Sequence, residues 1–412
     1  MSKSIWIFNH YAGPPSVTTG LRHYNFAKKL INAGYPTTIF AASTVHNSSR
    51  NLIEDNRSYV KMEKNGVPFV FIRTCNYVGN GLSRIKNMIQ YYRRLFKVTK
   101  NFEKPDVIIG SSVHPLACVA AIKLAKKYHC ECIVEIRDLW PESIVAYSNI
   151  SPKNPVIWIL YKLEKWIYKK ADKIIFTMEG GKDYILEKGW DKDIDQSKIY
   201  HINNGIDLEQ YKQQQNDFIL KDDDLDCSDC FKAIYTGSIR LTNNVGCLVD
   251  AARVLDNTPN NNVKILIYGF GDQLKKLQGI CKAEHLDSIR FKGKVDKKYI
   301  PGILKRGQIN ILDIYKADIF RFGVSPNKLF DYLASGKPVL SGLKCNYDII
   351  EKYNCGVVLQ DNAPEEIAKK LLYFSQMERS EYECLSNNAL KAAENYDFTY
   401  LTKKLIKVIE VE

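Results

Sequence analysis

The chain has 412 residues, 45% hydrophobic and 25% charged, with a formal net charge of +13. At about 150 residues per domain this predicts two or three globular domains with ample apolar material for cores, and it excludes a disordered or fibrous chain. The basic balance favours partners that carry phosphate: nucleic acid, anionic lipid heads or nucleotides.

The first residues show no basic, apolar and small-residue leader pattern, so no secretory signal is expected. The most apolar span, "PVIWILYKLEKWIY", is interrupted by Lys162, Glu164 and Lys165. Nothing reaches the roughly 18 uncharged residues that a membrane span needs. The 11 cysteines are scattered and odd in number, which fits reduced thiols. Cys227 and Cys230 have zinc-like spacing, but with no second pair or histidine partner the stretch reads as a plain acidic loop. A cytoplasmic protein is the expectation.

In chain order, "KSIWIFN", "PTTIFAA", "VPFVFI", "DVIIGS", "CIVEIR" and "KIIFT" are strand-like runs bounded by turn residues. Helical patterns at Leu21–Asn32, Leu82–Phe102, Pro115–Tyr128 and Pro155–Ala171 lie among them. Such alternation predicts a parallel sheet with helices on both faces. The Gln, Asn and Asp-rich stretch "HINNGIDLEQYKQQQNDFILKDDDLDCSDC" then reads as a linker. After it the alternation restarts with "FKAIYTG", "VKILIYG", "IRFKG", "INILDI", "PVLSG" and "GVVLQ". The economical α/β reading is two doubly wound Rossmann-like domains facing across a cleft, because ligands bind at the carboxyl ends of such strands. The expected boundaries are residues 1–200 for the first domain, 201–230 for the linker and 231–395 for the second domain. A C-terminal helix at 396–412 would pack back on the first domain.

Several constellations stand at strand ends. Gly13, Pro14 and Gly20 lie in a Gly/Pro/Ser/Thr loop between the first strand and helix, without dinucleotide or P-loop spacing. His114 follows "DVIIG", where a lone histidine is as readily structural as functional. "RDLWPES" crowds Asp138 and Glu142 beside a strand end, as a site or as a salt-bridge knot between domains. Gly237, Gly269 and Gly293 end successive strands of the second half and would let a backbone approach a ligand; simple turn geometry is the plain alternative. Arg240 could grip a diphosphate bidentately or be a solvated loop residue. In "GVSPNKLFDYLASGKPV", Ser325 and Pro326 read as a helix start, with Ser as cap. Gly336 ends that helix. Its free N–H groups beside Lys328 would suit an anion. The segments "LSRIKNMIQYYRRLFKVTKNFEK" and "PVIWILYKLEKWIYKKADK" are basic and amphipathic, suiting an anionic membrane surface or an ordinary packed helix.

Taken in order, "NNGIDLEQY", "YTGSIR", "YGFGD", "RFKGKV" and "GVSPNKLFDYLASGKPV" resemble retaining, nucleotide-sugar-dependent glycosyltransferases of the GT-B fold, of the group-one or family-four type. "HYAGPPSVTTGLRHYNFAKKL", "RDLWPES" and "SPNKLFDYLASGKPV" look most like O-antigen and capsule transferases, including N-acetyl-L-fucosamine transferases. The resemblance implies an acceptor-binding first domain and a donor-binding second one. It assigns His114, Arg240 and Lys328 to catalysis, with Arg240 and Lys328 on the diphosphate and His114 on the donor sugar or transition state. Gly237, Asn243, Gly269, Phe270, Val295, Ser325, Asn327, Leu329 and Asp331 would line the donor site, the base and ribose lying near Gly269, Phe270 and Val295. Gly13, Pro14, Gly20, Asp138 and Glu142 would lie by the acceptor. Two departures stand out. Many relatives carry glutamates where Gly323 and Asp331 stand, and a lysine at Asn243. The resemblance further implies a UDP-linked donor, a lipid-linked saccharide acceptor, no metal or other cofactor, and a peripheral position on the inner face of the cell membrane. Rival readings are a non-hydrolysing nucleotide-sugar 2-epimerase and a basic membrane or nucleic-acid binding module without catalysis.

Overall fold

The computed structural model describes residues 2–18, 20–46, 48–79, 81–112, 114–148 and 150–411. The chain divides into two compact units, Met1–Asn203 with Phe398–Glu412, and Asn204–Asp397.

The first unit is built on eight strands: β1 (Ile5–Phe8), β2 (Thr37–Ala42), β3 (Tyr59–Lys64), β4 (Val67–Ile72), β5 (Val107–Ser111), β6 (Glu131–Ile136), β7 (Lys173–Phe176) and β8 (Ile199–His201). They lie in the order β3-β4-β2-β1-β5-β6-β7-β8, parallel except for the antiparallel edge pair β3–β4. Side chains alternate across a strand, and here both faces are covered. Ile5 and Ile7 join a core with Phe26 and Leu30 of the helix Arg22–Asn32 and with Leu401 and Leu405 of the helix Phe398–Glu410. Trp6 and Phe8 point the other way, onto Phe40, with Trp6 also against Tyr128. Burial on both faces is why these strands read as continuous apolar runs. The final helix is thus part of the first unit, locked there by Phe398 against Phe26, ring centroids 5.2 Å apart.

The second unit carries β9 (Phe231–Ser238), β10 (Val263–Phe270), β11 (Ile289–Gly293), β12 (Ile309–Leu312), β13 (Val339–Ser341) and β14 (Gly356–Val358). Their order, β11-β10-β9-β12-β13-β14, is wholly parallel. This is the doubly wound order of the Rossmann fold, whose direction reverses between β9 and β12. Phe231, Ala233 and Tyr235 pack on the helices Val245–Asp256 and Pro364–Ser375. On the other face the backbone N–H of Thr236 donates to the hydroxyl of Tyr332, from the helix Asn327–Ala334.

Two sequence expectations need correction. Residues 204–230 are not a separate linker: they fold into the second unit, with a helix at Leu208–Asp217. Asp207 caps that helix by accepting from the Gln210 N–H, and Tyr211 is its one buried side chain. Cys227 and Cys230 are joined as a disulfide rather than left as free thiols.

Candidate active site

The helix Asn327–Ala334 is the centre of the second unit's site. Leu329, Phe330, Tyr332 and Leu333 bury one face, Phe330 packing on Tyr396. Gly336, at φ +66°, turns the chain out of the helix by bonding its N–H to the Leu333 carbonyl. Residues four apart share a helix face. Tyr332, moored to β9 at Thr236, therefore brings Lys328 to the carboxyl end of that strand. The ammonium donates to the Tyr235 hydroxyl at 2.9 Å and to Asn243 Oδ1 at 3.3 Å, and lies 4.2 Å from the centre of the Tyr235 ring. The Tyr235 hydroxyl donates to the Ser238 carbonyl, and Asn243 Nδ2 donates to Ser238 Oγ.

Gly237 makes this approach possible. A Cβ there would lie 2.9 Å from Lys328 Nζ, and its φ of +141° is strained for any L side chain. Gly269 beside it is packed tighter still, since a Cβ would stand 1.8 Å from the Gly237 carbonyl oxygen. Burial pulls the Lys328 pKa down to about 7, with Asp313 opposing. Asp313, at the end of β12, is buried and pushed up to about 7, although the Asn244 amide, the Ile314 N–H and Lys328 work the other way. Asn362 Nδ2 also donates to it, at 2.9 Å. The backbone N–H groups of Asn327 and Lys328 meet no protein acceptor among the described residues. An ammonium and unspent helix N–H groups at a sheet's switch point make an anion cradle.

The other expected donor residues are distributed around this centre. Phe270 ends β10, 58% exposed, with the Lys294 ammonium 5.3 Å from the centre of its ring. Val295 follows in the next loop and is partly buried. Asp331 lies near Tyr211 and Lys297; burial raises its pKa and Lys297 partly offsets this. Asn327 is exposed, as is Arg240, whose guanidinium bonds to nothing among the described residues. Gly323 is buried at φ +85°. That backbone suits glycine and would strain a glutamate.

Ser325 and Leu329 depart from their expected roles. Ser325 does not cap the helix: its hydroxyl accepts from the Asn204 N–H at 2.9 Å, and its carbonyl from Asn204 Nδ2 at 2.7 Å. Leu329 turns into the core, 3% exposed, with its N–H spent on the Pro326 carbonyl.

In the first unit, His114 caps the sheet edge between β5 and the helix Pro115–Tyr128. It is buried against His10, ring centroids 4.8 Å apart, and neither ring nitrogen of His114 meets a hydrogen-bond partner among the described residues. Burial, reinforced by Arg84, lowers the His114 pKa to about 3, so the imidazole is neutral. Beneath them lies a network that the sequence did not reveal. Glu135 receives Arg22 Nε at 2.8 Å and the Ser111 hydroxyl at 2.7 Å, and lies 2.8 Å from His23 Nε2. Burial pushes the Glu135 pKa up, but Arg22 and His23 outweigh it and hold the carboxyl well below the usual range.

Gly13 and Pro14 are buried in a turn that the Val17 and Thr18 N–H groups close on the Pro14 carbonyl, while Gly20 is exposed. Asp138 is exposed. Glu142 is committed to Lys188 and the Tyr161 hydroxyl, both at 2.5 Å, an ion pair inside the first unit rather than one between domains. No cluster of three or more His, Cys, Asp or Glu among the described residues could hold a metal ion.

Residues 22–210 match the family described as Glycosyltransferase Family 4, and residues 226–392 match Glycosyl transferases group 1. The two matches together span most of the chain, with a glycosyltransferase domain in each half. An uncharacterized glycosyltransferase of Methanocaldococcus jannaschii is 26% identical over 250 residues, an alignment spanning 60% of each chain. Among solved structures, sucrose-phosphate synthase from Thermosynechococcus elongatus superposes over 99% of this chain and 98% of its own, with a TM-score of 0.73 and 14% identity. Anabaena HepE in complex with UDP and glucose superposes over 100% of both chains, with a TM-score of 0.69 and 14% identity.

Proposed function

We propose that the protein transfers a sugar, an N-acetylated or deoxy hexose, from a UDP-linked donor to a lipid-linked saccharide in bacterial surface polysaccharide assembly, with retention of configuration. The observation that carries this reading is the cradle around Lys328, an ammonium and free helix N–H groups where a leaving diphosphate would gather charge. Electrostatic stabilisation of that kind is commonly the largest catalytic term. The bond from the anomeric carbon to the phosphate oxygen breaks, and the acceptor oxygen bonds to that carbon from the same side. The acceptor proton passes to a phosphate oxygen of the departing UDP. Arg240 is free to swing onto the diphosphate, Phe270 offers an exposed ring to the uracil, and Asp331 takes the ribose. His114, held neutral, offers a ring nitrogen to a sugar hydroxyl. The ammonium supplies the countercharge, so no metal is required.

Membrane association is the second part of the proposal. Val78, Leu82 and Ile85 are exposed at and before the start of the helix Leu82–Val98, and Val156, Trp158 and Ile159 on the helix Pro155–Lys170. Lysines and arginines accompany both groups, which suits an anionic lipid surface. No helix among the described residues is long and apolar enough to cross a membrane.

The test is product analysis. Purified protein with EDTA, a panel of UDP-sugars and a lipid-diphosphate-linked sugar should release UDP and form a glycoside with the donor's anomeric configuration by NMR. An inverted product would overturn the retaining mechanism. A 2-epimerised nucleotide sugar formed without acceptor would favour the epimerase.

A further inference from the structure

The first unit holds a polar cavity apart from the residues considered above. Its volume is about 470 Å³, and it lies between the loop at residues 49–54, the turn at 73–76 and the helix face carrying Gln90 and Arg94. β2 and β4 run parallel into it, at the sheet edge where β5 delivers His114. Cavities of this size commonly take small ligands.

Its walls have spent acceptors on one another and kept donors. Asn51 Nδ2 donates to the Thr74 carbonyl at 3.0 Å and to Asn76 Oδ1 at 2.8 Å, and Gln90 Oε1 accepts the Cys75 N–H at 2.7 Å. The Gln90 amide nitrogen and the Arg73 guanidinium donate to no acceptor among the described residues. Arg94 spends one nitrogen, Nη1, on the Arg73 carbonyl. Glu54 is the one carboxylate in the lining. The adjoining groove shares Gln90 and Arg94 and adds Arg93, Lys97 and Lys123 without an acid. Two guanidiniums and a free amide facing one carboxylate call for a ligand with an anionic group and hydroxyls, because a guanidinium fork pairs bidentately with carboxylate or phosphate.

We propose that this cavity binds the acceptor saccharide and selects one whose sugar bears a carboxylate or a phosphate. The proposal rests on the reading of the protein as a glycosyltransferase. Arg73 and Arg94 take the acidic group, while Glu54 and the Gln90 amide take hydroxyls.

The test is saturation-transfer NMR on the full-length protein in excess UDP, so that the cradle around Lys328 is filled. The probes are methyl glucuronide, glucose 6-phosphate and neutral methyl glucoside. At least one anionic sugar should bind about tenfold or more tightly than the glucoside, a difference of ~1.4 kcal/mol. Whether the glucuronide or the phosphate binds better identifies the acidic group. Arg73→Gln with Arg94→Gln should abolish that preference and leave UDP affinity unchanged. Arg73→Gln alone should weaken it, and its unchanged UDP affinity would show that the fold is intact. Equal binding of the neutral glucoside, or an anion preference that survives the double variant, overturns the proposal. Anion binding to wild-type protein that does not bind UDP would remove the transferase reading and leave the cavity's preference standing.

Discussion

Replacing Lys328 with Ala removes the ammonium while leaving the moorings of its helix, Tyr332 and Phe330, in place. In the free protein that ammonium is costly to keep charged. A pKa lowered from 10.5 to about 7 corresponds to about 4–5 kcal/mol against the charged form. A diphosphate in the cradle reverses the balance, so the interaction is realised when negative charge is present. Removing one such contact typically lowers turnover by about 10²–10³-fold, ~2.7–4 kcal/mol, and Lys328→Ala should fall in that range. Only the protonated fraction of the wild-type protein is competent to bind, so donor affinity should weaken up to about tenfold per pH unit above ~7. Stability carries the matching sign. The unfolded lysine holds its proton to higher pH than the folded one. Lys328 therefore makes the free protein more stable as pH rises from about 7 towards 10, and Lys328→Ala removes that rise. The assay is steady-state UDP release with donor titrations from pH 6 to 9, accompanied by urea unfolding. A variant turning over within about threefold of wild type, or a donor affinity flat with pH, would refute the reasoning.

Three further outcomes follow from the packing. Gly269→Ala would drive its Cβ to 1.8 Å from the Gly237 carbonyl oxygen, so it should cost at least the ~1–3 kcal/mol of core overpacking, read as a lower urea midpoint, and weaken UDP binding as β9 shifts. Glu135→Ala leaves Arg22 buried without its carboxylate and should cost about 3–5 kcal/mol. In the wild type the Glu135 contribution is present above the ordinary carboxylate pKa and is lost as acid drives the pH down through its depressed folded value, so the stability difference between the two proteins should shrink in acid. His114 has a folded pKa of about 3 and is neutral in the fold. The stability that this gives is present above its unfolded value near 6.5 and declines as pH falls below it; His114→Phe should flatten part of that decline in thermal unfolding, while a turnover profile between pH 5 and 8 should show no His114 titration.

Ten of the twelve strands legible in the sequence are largely apolar runs because both faces of the sheet are covered there; β11 and β14, the half-buried edges of the second sheet, are not. β3, "YVKMEK", escaped because it is a half-exposed antiparallel edge, and β8 because it has only three residues. The helix Leu208–Asp217 reads as linker in the sequence since a single buried Tyr211 gives no periodic signal. Lys328 was legible from its place in a helix start, but Asp313, Tyr235 and Tyr332 were not. What distinguishes them is contact with residues dozens of positions away, as with Tyr332 and Thr236. The Arg22–His23–Glu135 network has the same origin, its halves lying 112 and 113 positions apart. Ser325 failed as a cap for this reason too: its hydroxyl belongs to Asn204, 121 residues earlier.

The central claim is that the second unit binds a nucleotide diphosphate through Lys328 without a metal. Thermal unfolding with UDP in the presence of EDTA, on wild type and Lys328→Ala, tests it most directly. At a hundred times its dissociation constant a ligand adds about 2.7 kcal/mol, a rise of a few degrees for domains of this size. The account predicts that rise for the wild type, undiminished by EDTA, and a much smaller one for the variant. No shift with UDP, a shift that EDTA abolishes, or an equal shift in Lys328→Ala would contradict it.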